Sequence, residues 1–277
     1  YNGNGVKKDF SNFLKYIYQF SDAITIYGDL QLRNITYKTN GDTSNLEDFL
    51  IDKSYSFFNP KAGLNFELNK KNRFYFSISK AFREPTRSDF ESNIQIKPEE
   101  LVDIELGWNS KLERILINAN WYYMKYKNQL VLTGEIDDVG APVRENSGQS
   151  FRYGLEIESI LNMSNKITIN ANMSISENKN INYLTSINGE IVNLGDTQIS
   201  FSPKLVSSIG FRFTPINKLY LSFITKHIGD QFMGNTDSDL SKLDSYTISY
   251  FNIVFKLKNT KLFNEVTISA IINNLFN

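Results

Sequence analysis

The chain has 277 residues, of which 30 are Lys or Arg, 30 are Asp or Glu and none is Cys. The balanced charge gives no basis for a nucleic-acid partner, and the lack of Cys excludes disulfides and thiolate metal sites. Every continuous apolar run is shorter than the ~18–20 residues that a membrane-spanning helix needs. Aromatic residues nevertheless make up 14% of the chain. Composition therefore does not decide between a soluble and a membrane protein, and the order of the residues has to be considered.

Apolar and polar residues alternate along most of the chain. In Ile167 to Ser176, every second residue is apolar and the residues between are Thr, Asn or Ser. A strand sorts such residues onto two faces, whereas a helix scatters them. The pattern predicts about twelve strands, which in chain order cover 8–20, 23–38, 54–68, 72–83, 100–109, 112–126, 150–162, 166–178, 203–214, 217–229, 245–258 and 264–274.

The lengths of these strands and of their connections predict a membrane barrel. A soluble strand typically has ~5–6 residues, whereas a tilted membrane strand needs ~9–11. The connections alternate between short ones, at 21–22, 69–71, 109–111, 164–165, 215–217 and 259–263, and long ones, at 39–53, 84–99, 127–149, 179–202 and 230–244. Short turns at one rim and long loops at the other are typical of outer-membrane proteins. We therefore expect an all-β chain that forms a transmembrane antiparallel β-barrel; the alternative, a soluble all-β repeat protein, has no visible repeat to support it.

The polar faces of the predicted strands carry charges of both signs. These are Asp29, Arg33, Lys61, Glu67, Asp103, Glu105, Arg152, Glu156, Glu158 and Arg212. A wide barrel can hold them facing water or a plug, whereas a narrow eight-stranded barrel has little room for them. The sequence therefore favours a solvated inner wall over a catalytic site at these positions.

The sequence predicts no catalytic site and no cofactor. It has no G-x-S-x-G, no H-E-x-x-H and no phosphate-binding glycine loop. His227, the only histidine, lies near the end of a strand. The default interpretation of His227 is ordinary polar surface. The alternatives are a general base or an axial haem ligand.

One long loop offers the first half of a calcium-binding pattern. Asn235, Asp237 and Asp239 supply oxygen side chains at alternate positions. Counted from Asn235, the sixth and twelfth positions are Leu240 and Tyr246, where a calcium loop has Gly and Glu. A polar turn is the default interpretation and a Ca²⁺ site the alternative. The same alternatives apply to Glu47, Asp48 and Asp52.

Several segments occur in an order that resembles a known family. They are Asn59–Leu64, Tyr75–Ser79, Ala81–Phe90, Lys97–Glu100, Glu105–Gly107, Tyr122–Leu130, Arg152–Glu156, Ser202–Pro203 and Asn273–Asn277. Together they resemble the β-barrel of TonB-dependent receptors, which are active importers of the bacterial outer membrane. The resemblance assigns architectural roles, at strand starts and ends rather than at ligand contacts, to Arg83, Glu84, Pro85, Pro98, Glu99, Gly154, Glu156, Pro203, Asn274, Leu275 and Phe276.

The resemblance also implies that residues 1–277 form only part of a barrel. Family barrels have 22 strands, so about twelve strands represent a C-terminal part that lacks the closing strand. The resemblance implies that the plug domain lies outside this chain. We expect the same of any signal peptide, because Tyr1 to Gly5 contain neither Met nor an apolar signal core. An open sheet leaves two unpaired edges in lipid, so this chain alone is not expected to transport anything.

The expected function is active import of a bulky, scarce nutrient across the outer membrane. The resemblance implies an iron–siderophore-like chelate, haem, cobalamin or a glycan as the ligand, and energy supplied by the TonB system through the plug of the full-length chain. The expected partners are outer-membrane lipid, that plug, the TonB system and a small-molecule ligand, with no nucleic acid. Two alternatives stay open, a closed twelve-stranded outer-membrane enzyme and a passive porin, and so do the identity of the ligand and any lipoprotein partner.

Overall fold

The computed structural model of the chain describes residues 3–42, 48–136, 140, 142–187, 190–258 and 263–276. Its strands are β1 (Gly3–Gln19), β2 (Ile24–Asp42), β3 (Asp48–Asn69), β4 (Asn72–Arg83), β5 (Glu99–Lys111), β6 (Ile115–Lys127), β7 (Leu130–Ile136), β8 (Pro142–Asn146), β9 (Gln149–Ser164), β10 (Ile167–Ile181), β11 (Leu184–Ile187), β12 (Glu190–Asn193), β13 (Thr197–Gln198), β14 (Leu205–Ile216), β15 (Leu219–Ile228), β16 (Gln231–Phe232), β17 (Lys242–Leu243), β18 (Tyr246–Lys258) and β19 (Glu265–Ile272). One short helix, α1 (Arg87–Ser92), and a 3₁₀ turn (Asp239–Ser241) lie between strands. None of the helices in these ranges is long and apolar enough to cross a membrane.

Twelve long strands form one antiparallel sheet, in the order β1-β2-β3-β4-β5-β6-β9-β10-β14-β15-β18-β19. We call this sheet the wall. Each wall strand corresponds to one predicted strand, so the predicted fold class, part of an antiparallel membrane barrel, is confirmed. Within the described residues, β1 pairs only with β2 and β19 only with β18. The two ends of the wall therefore do not pair with each other there.

The short turns are closed by side chains of their own residues. The Ser21 hydroxyl accepts hydrogen bonds from the backbone N–H of Ala23 (3.3 Å) and Ile24 (3.1 Å). The Asn69 side chain does the same for the N–H of Lys71 (2.9 Å). Such local acceptors favour tight turns. Most of the short connection predicted at 259–263 lies outside the described residues.

The prediction of a long loop at 39–53 is wrong for most of its length. The β2–β3 ladder continues to the pair Asp42 and Asp48. Phe49 and Ile51, which this extension carries, are 6% and 1% exposed. Burial of these two side chains beneath α1 stabilises the extra ladder. Nothing within 39–53 itself indicates that α1 covers this segment. Glu47 lies outside the described residues.

The strand register places all ten of the predicted inner-wall charges on one face. Directly paired residues share a face of a sheet, and Asp29 pairs with Lys61, while Glu67 pairs with Arg73. The opposite face exposes large apolar side chains, among them Leu14, Ile26, Leu30, Phe76, Ile78, Leu106, Trp121, Leu155, Ile175, Ile209, Phe211 and Ile268. An apolar face of this extent fits lipid rather than water, which disfavours the soluble alternative.

Three tyrosine rings cover glycines on the inner face of the wall. The pairs lie directly opposite each other on neighbouring strands and are Tyr27–Gly63, Tyr75–Gly107 and Tyr122–Gly154. A Cβ added at Gly63 would lie 2.3 Å from the Tyr27 ring, and one at Gly107 would lie 1.9 Å from the Tyr75 ring. Real Cβ atoms do not approach this closely, so any larger residue at these two positions would displace the tyrosine ring.

Candidate functional site

The long connections fold together at one end of the wall. We call the described residues of 84–98, 128–148, 182–204 and 229–245 the outer-loop layer. The layer contains α1 and the hairpins β7–β8, β11–β12 and β16–β17, none of which the alternation pattern predicted. Because long loops face outward in outer-membrane barrels, this end is the extracellular one.

The helix α1 anchors the first loop to the extended β2–β3 hairpin. Thr86 precedes the helix, and its backbone N–H and hydroxyl donate to the Asp89 carboxylate at 2.7 and 2.8 Å. Phe90, 1% exposed, stacks on Tyr37 with ring centroids 6.1 Å apart. Phe90 also joins a small core with Phe49, Ile51, Ile96 and Leu130. The Thr-x-x-Asp spacing is a capping signal that could have predicted this helix.

Two of the predicted architectural residues close the base of this loop. Arg83 ends β4 and Glu99 begins β5, and Arg83 Nη2 lies 3.3 Å from Glu99 Oε2. The same carboxylate oxygen accepts a hydrogen bond from the backbone N–H of Leu130 at 2.8 Å. Glu99 therefore joins the first loop to the second. Pro98, another of the predicted architectural residues, directly precedes Glu99 at the start of β5.

Glu84 ties the loop to the first strand of the wall. Its carboxylate accepts hydrogen bonds from Lys7 Nζ at 2.6 Å and from Arg33 Nη1 and Nη2, each at 2.9 Å. Arg33 also donates to Asp9, at 2.6 Å. Burial acts to raise the pKa of Glu84, but the hydrogen bonds from Lys7 and Arg33 outweigh it and hold the pKa below its ordinary value of 4.5. Pro85 follows and keeps Glu84 extended.

Asn146 joins the first loop to the second hairpin. Its amide accepts a hydrogen bond from the Lys97 backbone N–H at 2.8 Å and donates to the Lys97 carbonyl at 3.0 Å. It also donates to the carbonyl of Asn128 at 2.9 Å. Arg144 on the same strand, β8, lies 3.7 Å from Asp89 of α1. Asn146 and Arg144 therefore join the α1 loop to the β7–β8 hairpin.

Asn235 joins its own segment of the layer to two others. The residue is 1% exposed. Its Nδ2 donates to the Leu132 carbonyl at 2.7 Å, and its Oδ1 accepts from the Ser200 N–H at 2.9 Å. The Ser200 hydroxyl donates to the same Leu132 carbonyl at 2.8 Å. One buried amide thus connects the second, third and fourth segments of the layer.

A partly buried carboxyl lies close to this junction. Glu145 accepts a short hydrogen bond from the Tyr183 hydroxyl. Burial raises the pKa of Glu145, and the hydrogen bond from Tyr183 opposes it without cancelling it. Burial and the Glu145 carboxylate both raise the pKa of Tyr183. The contact joins β8 to the third segment of the layer.

A polar cavity of about 320 Å³ opens on the inner wall, and Ser202 and Pro203 of the layer are part of its lining. Arg152 lies in it and donates to Ser202 Oγ at 3.0 Å. Glu105 and Glu156 supply carboxylates. Nearby on the inner face, Asp103 Oδ1 and Asn120 Oδ1 are buried without a hydrogen-bond partner among the described residues.

Other predicted architectural residues occupy different kinds of position. Gly154 and Glu156 lie inside β9 rather than at its ends, because β9 pairs continuously through both residues. A Cβ at Gly154 would lie 2.6 Å from the Ile175 carbonyl and 2.8 Å from the Tyr122 hydroxyl, so close packing in mid-strand explains the glycine. Pro203 lies before β14, which begins at Leu205 and not at 203 as predicted.

The residues after β19 turn back onto the wall. Asn274 has a φ of 56°, a left-handed conformation that asparagine tolerates. The Leu275 N–H donates to the Ser249 carbonyl at 3.0 Å, and Phe276 packs edge-on against Phe223 with centroids 6.1 Å apart. Asn277 lies outside the described residues.

The remaining candidate site residues, His227, Asn235 and Asp237, form hydrogen bonds within the protein. His227 Nδ1 lies 3.0 Å from the hydroxyl of Thr247, its cross-strand partner. Asp237 Oδ1 accepts a hydrogen bond from the Gln198 N–H at 2.8 Å, and Asn235 is used as described above. Over the ranges that the structure describes, no group of three or more His, Cys, Asp or Glu side chains is placed to hold a metal ion.

Comparison with known proteins gives one family. The family model described as "TonB dependent receptor-like, beta-barrel" matches residues 1–275. None of the curated proteins compared matches the chain.

Solved structures share the fold at low sequence identity. The siderophore receptor PiuA from Acinetobacter baumannii superposes with a TM-score of 0.78 at 16% identity, covering 99% of this chain and 39% of that one. The copper transporter OprC gives 0.77 at 14% identity, with 98% and 42% covered. The ferric-catecholate import receptor Fiu from E. coli gives 0.73 at 14% identity, with 99% and 41% covered. The chain therefore spans about two fifths of the length of each.

Proposed function

Because the chain belongs to the TonB-dependent receptor-like β-barrel family, a family of bacterial outer-membrane proteins, we propose that it forms part of the wall and the outer loops of an active nutrient importer. Members of the family are transport receptors and not enzymes. The nutrient is bulky and scarce. An iron–siderophore-like chelate is the first class to test, since PiuA is a siderophore receptor and Fiu a ferric-catecholate import receptor. Haem, cobalamin and glycans complete the panel.

The observation that carries this proposal is the outer-loop layer and the polar cavity beneath it. Asn146, Glu99 and Asn235 join the loops into one body, and Arg152 and Glu156 line the cavity that this body borders. A preformed, polar surface at the mouth of a wide barrel suits the capture of a large soluble ligand.

The domain organisation is part of the proposal. Residues 1–277 contribute twelve of an expected 22 wall strands, and the plug belongs to another part of the full-length chain. The inner face carries charges of both signs, such as Asp29 and Lys61, which suits contact with a plug or with water. The TonB system acts through that plug.

The two rival functions make different demands. A closed twelve-stranded barrel needs β1 to pair with β19, and the described parts of these strands do not pair. A passive porin needs no energy source. Uptake that depends on TonB therefore separates the importer from a porin.

The test uses the full-length gene as the only receptor of its kind in a Gram-negative host. Cells with and without a functional TonB system are given labelled ferric siderophores, haem, cobalamin and oligosaccharides. We expect accumulation of one class in the TonB-positive cells and loss of that accumulation in the TonB-negative cells. Equal accumulation in both strains would refute energised import.

A further inference from the structure

The balanced charge of the whole chain conceals a division between its two ends. Among the described residues of the outer-loop layer, 11 are Asp or Glu and five are Lys or Arg. The described residues of 39–52, at the outer tip of the β2–β3 hairpin, add three acidic side chains and no basic one. Five short turns at the opposite rim, with the residues that flank them, contain seven Lys or Arg and three Asp or Glu, in the ranges 20–23, 67–73, 109–116, 162–168 and 214–219. The outer end is therefore acidic and the opposite end basic.

More than half of the acidic side chains in the layer have no basic partner. Four lie within ion-pair distance of a basic side chain, and a fifth, Glu145, is bonded to Tyr183. The other six are exposed and form no ion pair with another described residue; they are Glu135, Glu190, Asp196, Asp237, Asp239 and Asp244. Their carboxylates give the extracellular surface a negative potential.

The acidic character continues on the inner wall below the layer, in the sector formed by β5, β6, β9 and β10. The inner face of this sector carries four carboxylates that form no ion pair with a described residue, at Asp103, Glu105, Glu156 and Glu158. Away from the opposite rim, the one basic side chain on the described inner face of the sector is Arg152, which donates to Ser202 Oγ at 3.0 Å. Arg152 therefore leaves an excess of negative charge there.

Other sectors of the inner wall have charges of both signs. Asp29 lies directly opposite Lys61, and Lys53 on β3 and Lys226 on β15 add positive charge. The register places the lysines near the outer ends of β6 and β10 on the lipid-facing side; they are Lys125, Lys127 and Lys179. The negative potential inside the wall is therefore concentrated in the sector of β5, β6, β9 and β10.

Three adjoining cavities follow this sector inwards from the layer. The first has a volume of about 380 Å³, and its lining includes Asp237 and Ser202. The second, of about 320 Å³, is also lined by Ser202 and contains Glu105 and Glu156. The third, of about 390 Å³, shares Glu156 and adds Glu158. Because each cavity shares a lining residue with the next, the three form one polar path along the wall.

Basic side chains on this path do not cancel its negative charge. Lys204, which lines the first cavity, lies 2.9 Å from Glu177. Asp230, which lines the same cavity, lies 3.1 Å from Lys242. Among the described lining residues, Arg152 is then the one positive charge without an acidic partner, against four carboxylates. A cleft lined mainly by one sign of charge raises the association rate of oppositely charged ligands by about 10- to 1,000-fold.

We propose that these three cavities and the acidic layer above them select a nutrient chelate that carries a net positive charge; this inference rests on the proposed function. The cationic group of the chelate meets Asp237 in the first cavity and is held by Glu105 and Glu156 in the second. Anionic chelates of the same size, ferric catecholates among them, are repelled by the unpaired carboxylates of the layer. The path therefore sets the charge of the ligand that the receptor accepts.

Binding to the full-length receptor in outer-membrane vesicles without an energy source tests the proposal. The probes are three ferric trihydroxamates that share one linear iron-binding core. Their ends carry a free amine, an acetylated amine or a succinylated amine, so the chelates are cationic, neutral and anionic. We expect the cationic chelate to bind at least tenfold more tightly than the anionic one, with the neutral one between them. Raising the ionic strength until the Debye length falls from about 10 Å to about 3 Å should remove most of this difference.

The variant E105Q/E156Q/D237N identifies the side chains responsible. Each exposed charge pair contributes up to about fivefold in affinity. The variant should therefore bind the cationic chelate at least fivefold more weakly and the neutral chelate as the wild type does. The matched control, D22N/E113Q/E265Q, removes three exposed acidic side chains at the opposite rim and should change the binding of none of the probes. The melting temperature and the binding of the neutral chelate verify that the variant is folded.

The outcomes separate this inference from the proposed function. Equal binding of the three chelates, tighter binding of the anionic one, or binding of none of them would overturn the inference, as would equal losses in the variant and its control. Uptake that keeps the charge order but does not need TonB would count against energised import alone. Uptake that needs TonB but shows no charge order would count against charge selection alone.

Discussion

The wall and the outer-loop layer are held together by different kinds of interaction. The wall consists of a repeated ladder in which each wall strand pairs with the wall strands before and after it in the chain, and alternation of side chains assigns its two faces. The layer depends on a few contacts between distant residues, such as that between Asn235 and Leu132, which are 103 residues apart. We therefore expect a substitution in the wall to act on the sheet, and one in the layer to act on the loops and on the end of the β2–β3 hairpin beneath α1.

Phe90→Ala tests the independence of the layer with the largest expected effect. Removing a side chain that is 1% exposed should cost about 3–5 kcal/mol and open the α1 loop. Hydrogen exchange of the full-length protein should show faster exchange in 86–98 and in the end of the β2–β3 hairpin that α1 covers, with no change in the rest of the wall. Ile94→Ala, at a position in the same loop that is 56% exposed, is the control and should change nothing. Faster exchange across the wall in Phe90→Ala would show that the two regions are not independent.

Gly107→Ala tests the wall. The new Cβ would meet the Tyr75 ring at 1.9 Å, so the ring must leave its place at a cost of about 1–3 kcal/mol. Denaturant unfolding of the full barrel should show this loss. Gly210→Ala lies on the same face with its nearest neighbour at 3.6 Å and should be neutral or slightly stabilising.

A second measurement checks the cause of that loss. In a Tyr75→Ala background, the further cost of Gly107→Ala should disappear because the ring is gone. If the cost persists without the ring, the close approach of Tyr75 is not the reason for the glycine.

Glu84→Gln tests the attachment of the first loop to β1 and β2. Since its pKa is lowered on folding, the Glu84 carboxylate stabilises fully above pH 4.5, and the contribution is lost as the pH falls through the lowered pKa. At neutral pH we expect a cost of about 1 kcal/mol. The difference in melting temperature between wild type and variant should shrink below pH 4.5. Asp52→Asn, which breaks the exposed pair with Lys38, should have almost no effect at any pH; an equal effect of both variants would contradict the special role of Glu84.

Glu145→Gln has the smallest expected effect and the opposite dependence on pH. Burial raises the pKa of Glu145 on folding, so the protonated form is favoured in the folded layer. Stability contributed here is greatest at low pH and declines as the pH rises from the ordinary value of 4.5 through the raised pKa. Proteolysis of the β7–β8 and β11–β12 hairpins should therefore be slower at pH 5 than at pH 8 in the wild type. Glu145→Gln should remove this difference, at a cost below about 1 kcal/mol; a variant that keeps it would exclude Glu145 as the source.

The sequence predicts the wall much better than the layer, for a physical reason. The alternation in 167–176 is a local pattern, and its period alone assigns strand and face. No local pattern indicates that Asn235 will meet Leu132, or that Phe49 and Ile51 will lie beneath α1. Their partners are distant in the chain, and the choice among many polar or apolar partners is made only when the loops pack. The Tyr75–Gly107 pair is an intermediate case. The sequence places each residue in a strand, but it does not give the strand register that sets the two residues opposite each other.

The most direct test of the account is ligand binding by the full-length receptor in outer-membrane vesicles without an energy source. The panel of ferric siderophores, haem, cobalamin and oligosaccharides is applied to the wild type, to Asn235→Ala and to Thr236→Ala, whose side chain is exposed. Loss of the buried amide leaves the Ser200 N–H without its acceptor, which costs about 1–3 kcal/mol. The account predicts that one ligand class binds the wild type and Thr236→Ala equally, and that Asn235→Ala binds it at least fivefold more weakly with an unchanged melting temperature of the barrel. Equal binding by Asn235→Ala, or binding of no member of the panel to the wild type, would contradict the claim that the outer-loop layer captures the nutrient.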